Sequence, residues 1–274
     1  MKNSGPQLKR MLTGFIKDAA FAAGVTLTGQ IESANVIDLI TKLKPQNCGR
    51  DLIRLGSDRD GGYLLPDDLE GIQYCFSPGV GASADFENHL ALLNIKSFLA
   101  DYSIDRPPIE RPEFTFDKKY LGANDADIFF TLESWKERYL NDYKGDLLLQ
   151  MDVEGSEYEV LISTPADVLS TFRIMLIEFH YLHKMFDPLI YHIYKACFER
   201  VLKHFHVAHI HPNNCCGSVR KGEIEVPRVM EFTFYNKNRV GRTTDKHEFP
   251  HPLDRDNVAT NKSLHLPRCW YRLD

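Results

Sequence analysis

The sequence lacks any uncharged apolar run of the roughly 20 residues that a bilayer-crossing helix needs. Lys17 and Asp18 break the N-terminal segment, so neither a membrane span nor a cleavable signal is expected there. There is no basic excess: 33 Lys+Arg stand against 38 Asp+Glu, a net charge of -5. That excludes a nucleic-acid backbone binder, which needs a net basic face. A pI near 6.1 argues equally against an anionic membrane surface. A disulfide framework is also missing. The six cysteines, at 48, 75, 197, 215, 216 and 269, have no small-secreted spacing, and adjacent Cys215-Cys216 makes a poor pair. Free thiols in a reducing, cytoplasmic setting are expected. No internal repeat or low-complexity tract occurs, and 43% apolar with 26% charged residues is ordinary globular composition. The 274 residues allow one large domain with extensions, or two small ones.

Residues 7–23 carry Leu8, Met11, Leu12, Phe15, Ile16 and Ala19 at helical spacing. Ser33 is placed to cap a second helix holding Val36, Ile37, Leu39, Ile40 and Leu43, which Pro45 ends. This extension, residues 1–48, either packs on the core or serves as a lid or as a dimer arm in a homo-oligomer. From about residue 50 short apolar runs alternate with helical stretches. Strands are expected at Ile72–Phe76, Ile95–Ala100, Asp146–Met151, Arg173–Phe179, Val207–His211 and Val229–Tyr235, the last antiparallel. Helices are expected over Ala84–Leu93, Ser156–Ser163 and His183–His204. Fully apolar strands between helices mean a parallel α/β sheet covered on both faces. The expected domain runs from 49 to 237, and the proline-bearing segment 238–274 forms a tail packed on it.

The first of these strands runs into Ser77-Pro78-Gly79-Val80-Gly81-Ala82-Ser83, and a helix follows. Glycines there let the backbone approach a ligand that a β-carbon would exclude. The helix N-terminus favours negative charge. Asp101 closes the next strand 20 residues after Gly81, where an acid can hold the two hydroxyls of a ribose. A dinucleotide requires a third glycine, but Ser83 and Ala84 stand in its place. S-adenosylmethionine, with a ribose and no pyrophosphate, fits better.

Three strand ends are strongly polar: Asp152-Val153-Glu154-Gly155-Ser156-Glu157, Glu178-Phe179-His180, and His209-Ile210-His211-Pro212-Asn213-Asn214. Each carboxylate alone reads as a helix cap, as Glu154 and Glu157 could be. Their convergence on the edge that carries the glycine turn points to an active site.

At this point the chain resembles the FkbM-type methyltransferases, a class I S-adenosylmethionine-dependent group. The likeness rests on MDVEGSEYEVL at 151–161, with LIRLGSDRDGGYLLPDDL at 52–69, CFSPGVGASADFE at 75–87, KYLGANDADIFFTLESW at 119–135, IMLIEFHYLH at 174–183 and AHIHPNNC at 208–215. HPLDRDN at 251–257 resembles segments of capsule- and glycan-cluster members. The resemblance implies a Rossmann-like seven-stranded sheet of order 3-2-1-4-5-7-6 with the seventh strand antiparallel. It implies that Gly79 and Gly81 line the cofactor, Asp101 holds the ribose, Gly122-Ala123 face the adenine, and Asp152 sits beside the sulfonium methyl. Arg54 and Asp60-Gly61-Gly62-Tyr63 would close over cofactor or acceptor. Ser77-Pro78 stand where many members carry an acid, which implies a different hold on the cofactor's methionine end.

A sugar hydroxyl is a poor nucleophile at neutral pH, so a base must take its proton or a metal must lower its pKa. His180 and Asp152 are the candidate bases. Asp152, Glu178 and His211 are the candidate ligands of a divalent ion such as Mg. His209, His211, Cys215 and Cys216 match no common zinc pattern. Tyr181 and Trp135 could stack on a sugar or on adenine, or be core aromatics. The expected activity is O-methyl transfer from S-adenosylmethionine to a sugar hydroxyl or glycan-precursor substituent, nucleotide-linked or in surface polysaccharide synthesis. An NAD(P)-dependent oxidoreductase and a non-catalytic nucleoside-binding module are the rivals.

Overall fold

The computed structural model describes residues 5–245 and 248–272, with side chains from residue 11 onward. Seven strands form the central sheet: β1 Tyr74–Pro78, β2 Lys96–Ala100, β3 Phe114–Asp117, β4 Leu147–Met151, β5 Phe172–Phe179, β6 Phe205–Pro212 and β7 Met230–Asn236. Across the sheet they run β3-β2-β1-β4-β5-β7-β6. β1 pairs parallel with β2 and β4, whereas β7 is antiparallel to both β5 and β6. This is the implied order. The chain starts at β1, builds outward to β3, and returns to the other side of β1 at β4. The crevice beyond the carboxyl ends of β1 and β4 is therefore the switch point where such sheets bind ligands.

Every residue of β4 (LLLQM) and β5 (FRIMLIEF) is buried, as strands covered on both faces must be. Helices α1 Gly5–Ala22, α2 Ser33–Lys42, α3 Asp85–Leu92, α4 Leu132–Leu140, α5 Glu157–Ser163, α6 Ala166–Ser170 and α7 Pro188–His204 complete the set. The α7 face of Tyr191, Tyr194, Cys197, Phe198 and Val201 is buried. Phe76 meets Trp135 edge-to-face at 4.9 Å between ring centroids in the same core.

Several expectations need correction. The long helix from His183 is instead a 3₁₀ turn, Leu182–Phe186, followed by α7. Pro188 cannot continue a helix from before it, and the Asp187 side chain accepts the Leu189 and Ile190 N–H groups, starting a new one. Ser33 begins α2 without capping it, since Glu32 takes the N-cap position and makes no side-chain cap bond. The apolar face of α1 is not packed on the core: Met11 is 69% exposed and Phe15 73%. Leu8, expected on that face, lies outside the described side chains. Features that were not expected include the hairpin Leu52–Gly56/Gly62–Pro66, the ribbon Ser218–Lys221/Ile224–Pro227 and helices α4 and α6.

Candidate active site

A cavity of about 600 Å³ opens beyond the carboxyl ends of β1, β2 and β4, within the range of small-molecule sites. The glycine turn forms its floor. Gly79, at φ 84°, donates its N–H to the Ala100 carbonyl (2.8 Å), while Asp152 N–H donates to the Pro78 carbonyl (3.2 Å). The end of β1 is thus stitched to both neighbours. A β-carbon on Gly79 would lie 1.5 Å from the Asp152 carbonyl oxygen, so only glycine allows this approach. Gly81 N–H donates to Asp101 Oδ2 (2.9 Å), and the Ser103 N–H and hydroxyl donate to Oδ1 (2.7 and 2.6 Å). Asp101 therefore staples the turn while lining the cavity.

Beyond β3 the apolar wall consists of Tyr120, Leu121 and Phe129. Gly122 and Ala123 follow that wall and do not line it; Gly122 packs so closely on Phe129 that a β-carbon would meet its ring at 3.0 Å. Trp135 is a core residue, fully buried, with Nε1–H donating to Asp117 Oδ2 (2.9 Å). Arg54 does not line the cavity either. Its Nε donates to the Ser57 carbonyl (3.0 Å) and Nη2 to the Arg59 carbonyl (2.9 Å), which shapes the hairpin loop that brings Asp60 and Gly61 to the cavity. Ser77 lies buried beneath the floor and touches Glu87 and Gln150, which do line it.

The turn after β4 presents the charged groups. Glu154 (φ 55°) and Gly155 (φ 114°) turn the chain sharply, and across it Tyr181 also has positive φ (56°). Non-glycine residues in that region store strain, which clusters at functional sites. His180 Nδ1 lies 2.9 Å from Glu157 Oε1, while Nε2 faces Glu154 Oε2 (3.3 Å) and Asp152 Oδ1 (3.8 Å). Glu157 is fully buried and also accepts the Gly155 N–H (3.0 Å). The Tyr158 hydroxyl donates to the His180 carbonyl (2.8 Å), fixing the backbone. Burial pushes the Asp152 carboxyl up to about 7; His180 opposes the rise, and Glu154 and Glu157 reinforce it. Burial pulls His180 down, but the Glu157 bond and the surrounding carboxylates outweigh it, so its pKa is raised. Such a pair titrates as a unit close to neutrality.

The expected ligand set Asp152, Glu178 and His211 is not assembled. Among the described residues, the His and acid group whose ligand atoms lie within 4.8 Å of one another is Asp152, Glu154 and His180. Glu178, Glu231 and His211 instead form one row across β5, β7 and β6. Asn213 Nδ2 donates to Glu178 (2.8 Å), and Asn257 Nδ2 donates to Glu231 (2.7 Å) and Asp60 (3.2 Å). His211 Nδ1 lies 3.6 Å from Asp254, which also pairs with His209 Nε2 at 2.8 Å. Asp254 and Asn257 come from the tail, so 251–257 clamps this row. Burial, then the fields of Asp152 and Glu231, raise Glu178 well above the usual carboxylate range.

Sequence reasoning passed over Glu87, Gln150, Glu231, Asp254 and Asn257. Gln150 and Glu231 carried a signal: Gln150 is the lone polar residue of LLLQM and Glu231 the lone charged residue of MEFTFYN, and burying such a group is costly unless something polar faces it. The two tail residues lie in HPLDRDN, which the resemblance marked only as a segment; their roles were hidden because their partners are distant in the chain.

A family model described as the methyltransferase FkbM domain matches residues 122–202, from the loop after β3 into α7. The likeness to FkbM-type methyltransferases therefore holds over that span, which includes Asp152, Glu157, Glu178 and His180. No curated protein matches the chain significantly. Among solved structures, similar chains include one titled as a DNA modification methyltransferase encoded within an E. coli prophage, at 12% identity and TM-score 0.38, covering 61% of this chain and 47% of that one. Another belongs to a fibrillarin/Nop5p complex, at 13% identity and TM-score 0.35, covering 61% and 74%. A third is the methyltransferase CalO6, at 11% identity and TM-score 0.28, covering 61% and 58%. This chain thus spans about half the length of the prophage protein. Among the described residues, no helix is long and apolar enough to cross a membrane.

Proposed function

We propose that this chain is a methyltransferase that uses S-adenosylmethionine to methylate a hydroxyl of a sugar or glycan precursor in surface polysaccharide synthesis, a reading that the match over residues 122–202 supports. The observation that carries the reading is the closed approach of Gly79 to Asp152 beneath a 600 Å³ cavity. It leaves a half-buried carboxylate, its buried Oδ1 without a hydrogen-bond partner, facing a crevice without room for a side chain on the turn. That is a cradle for a ligand of nucleoside size with positive charge at its centre.

When bound, S-adenosylmethionine supplies an electrophilic methyl carbon on a cationic sulfur. Asp101 has lone pairs left for the ribose hydroxyls, and Tyr120, Leu121 and Phe129 suit the adenine face. Asp152 stabilises positive charge beside it. Asp152 Oδ1 receives the acceptor hydroxyl's proton, and His180, held by Glu157 with Nε2 3.8 Å from Oδ1, acts on that carboxylate through its charge. Most of the remaining acceleration is positioning. Asp60 and Glu154, which line the cavity, are hydrogen-bonding groups suited to a polyhydroxylated acceptor. The catalytic unit of this reading is 49–237, with 1–48 and 238–274 as its extensions. The cysteine spacing, which matches no small secreted disulfide framework, supports a cytoplasmic setting.

The test is transfer of labelled methyl from S-adenosylmethionine to a panel of sugars, glycosides and sugar nucleotides, with products mapped by mass spectrometry. An O-methylated sugar supports the reading. Binding of S-adenosylhomocysteine without transfer to any acceptor would favour a non-catalytic module instead.

A further inference from the structure

Glu87 is a buried carboxylate with no cation to answer it. It sits in the first turn of α3, is 3% exposed, and lines the cavity. Among the described residues no Lys, Arg or His pairs with it. Its side-chain partner is the Ser77 hydroxyl, and the nearest charge is another acid, Asp85. Ser77 also reaches Gln150 Oε1 (2.7 Å), and Gln150 Nε2 donates to the Tyr63 hydroxyl (3.0 Å). The Ser77 proton is the one side-chain donor that reaches Glu87 among the described residues, so the buried carboxylate lacks a compensating cation, and burial raises its pKa. Buried charges are retained when paired.

The cavity indicates where the cation comes from. Asp101 on β2 and the Tyr120–Phe129 wall beyond β3 lie on one side of β1. Gln150 on β4, Tyr63 from the hairpin and Glu87 from α3, which packs on that hairpin, line the other part. A ligand that puts its nucleoside against Asp101 and crosses beside Asp152 ends near Glu87.

On the cofactor reading above, we infer that Glu87, with Ser77, Gln150 and Tyr63 around it, receives the α-ammonium of the cofactor's amino-acid end. Glu87 is then a specificity residue for an amino-acid-bearing nucleoside, separate from the groups that act on the acceptor. Ammonium binding supplies the cation that no side chain among the described residues supplies.

The experiment measures calorimetric affinity of wild type and Glu87→Gln for S-adenosylhomocysteine and for its analogue with the α-amino group replaced by hydrogen. Wild type is expected to prefer the amino compound at least tenfold. Glu87→Gln is expected to lose that preference, binding S-adenosylhomocysteine at least tenfold more weakly while its affinity for the analogue stays within about threefold. If Glu87→Gln does not fold, Ser77→Asp/Glu87→Gln, which returns one acid to the cluster, provides the same comparison and is expected to keep the preference. Equal weakening of both compounds by Glu87→Gln, a preserved preference in it, or no preference in wild type overturns the assignment. Failure of wild type to bind either compound overturns the cofactor reading itself.

Discussion

Gly79 lies so close to Asp152 that a β-carbon on the glycine would sit 1.5 Å from the aspartate's carbonyl oxygen. The contact joins the end of β1 to the end of β4 and sets the spacing between the glycine turn and the half-buried Asp152 carboxylate. Gly79→Ala must push those strand ends apart. It should destabilise the fold by about 3 kcal/mol and abolish S-adenosylhomocysteine binding. Gly81 has positive φ but open space around it. Gly81→Ala should therefore cost only about 1–2 kcal/mol of left-handed strain. Thermal melts of the two variants check the ranking.

Asp152 trades stability for function. Its carboxyl is raised to about 7, so the folded state disfavours its ionisation. The associated stability is present below the ordinary aspartate range and is lost as pH rises to about 7. At pH 8 Asp152→Asn should stabilise the protein by about 1–3 kcal/mol while turnover falls roughly 10²–10⁴-fold. Denaturant titration and initial rates measure the two effects.

The same carboxyl links cofactor binding to pH. A cationic sulfonium beside Asp152 favours its ionised form. Affinity for S-adenosylmethionine should rise between pH 6 and 8, with proton release on binding. S-adenosylhomocysteine, neutral at sulfur, should respond less. Calorimetry in buffers of different ionisation enthalpy counts the protons.

His180 is oriented by Glu157. His180→Ala should lower kcat far more than cofactor affinity; equal losses would mark a structural role. Glu157 raises both His180 and Asp152. Glu157→Gln should therefore shift the acid limb of the kcat–pH profile to lower pH.

Because Asp152, Glu178 and His211 do not converge, exhaustive chelation should leave activity within about twofold. A larger loss restored by Mg would give the Asp152, Glu154 and His180 group a metal role.

The sheet was legible because periodicity and continuous apolar runs such as LLLQM are local signals. The glycine turn, Asp101, Asp152 and His180 were legible for the same reason, since all stand at strand ends. Side-chain direction was not. His211 and Glu178 share a row with Glu231, which only strand pairing reveals, and Asp254 reaches His209 from 45 residues away. Gly122 and Ala123 were placed one step past the wall they were expected to form. The break at Pro188 was visible in the sequence and should have ended the helix before it.

The most direct measurement is parallel calorimetric titration of the protein with S-adenosylmethionine, S-adenosylhomocysteine and NAD. The account predicts one-to-one binding of both sulfur nucleosides, abolished in Gly79→Ala, and no response to NAD. Tight binding of NAD with no response to the other two would contradict it.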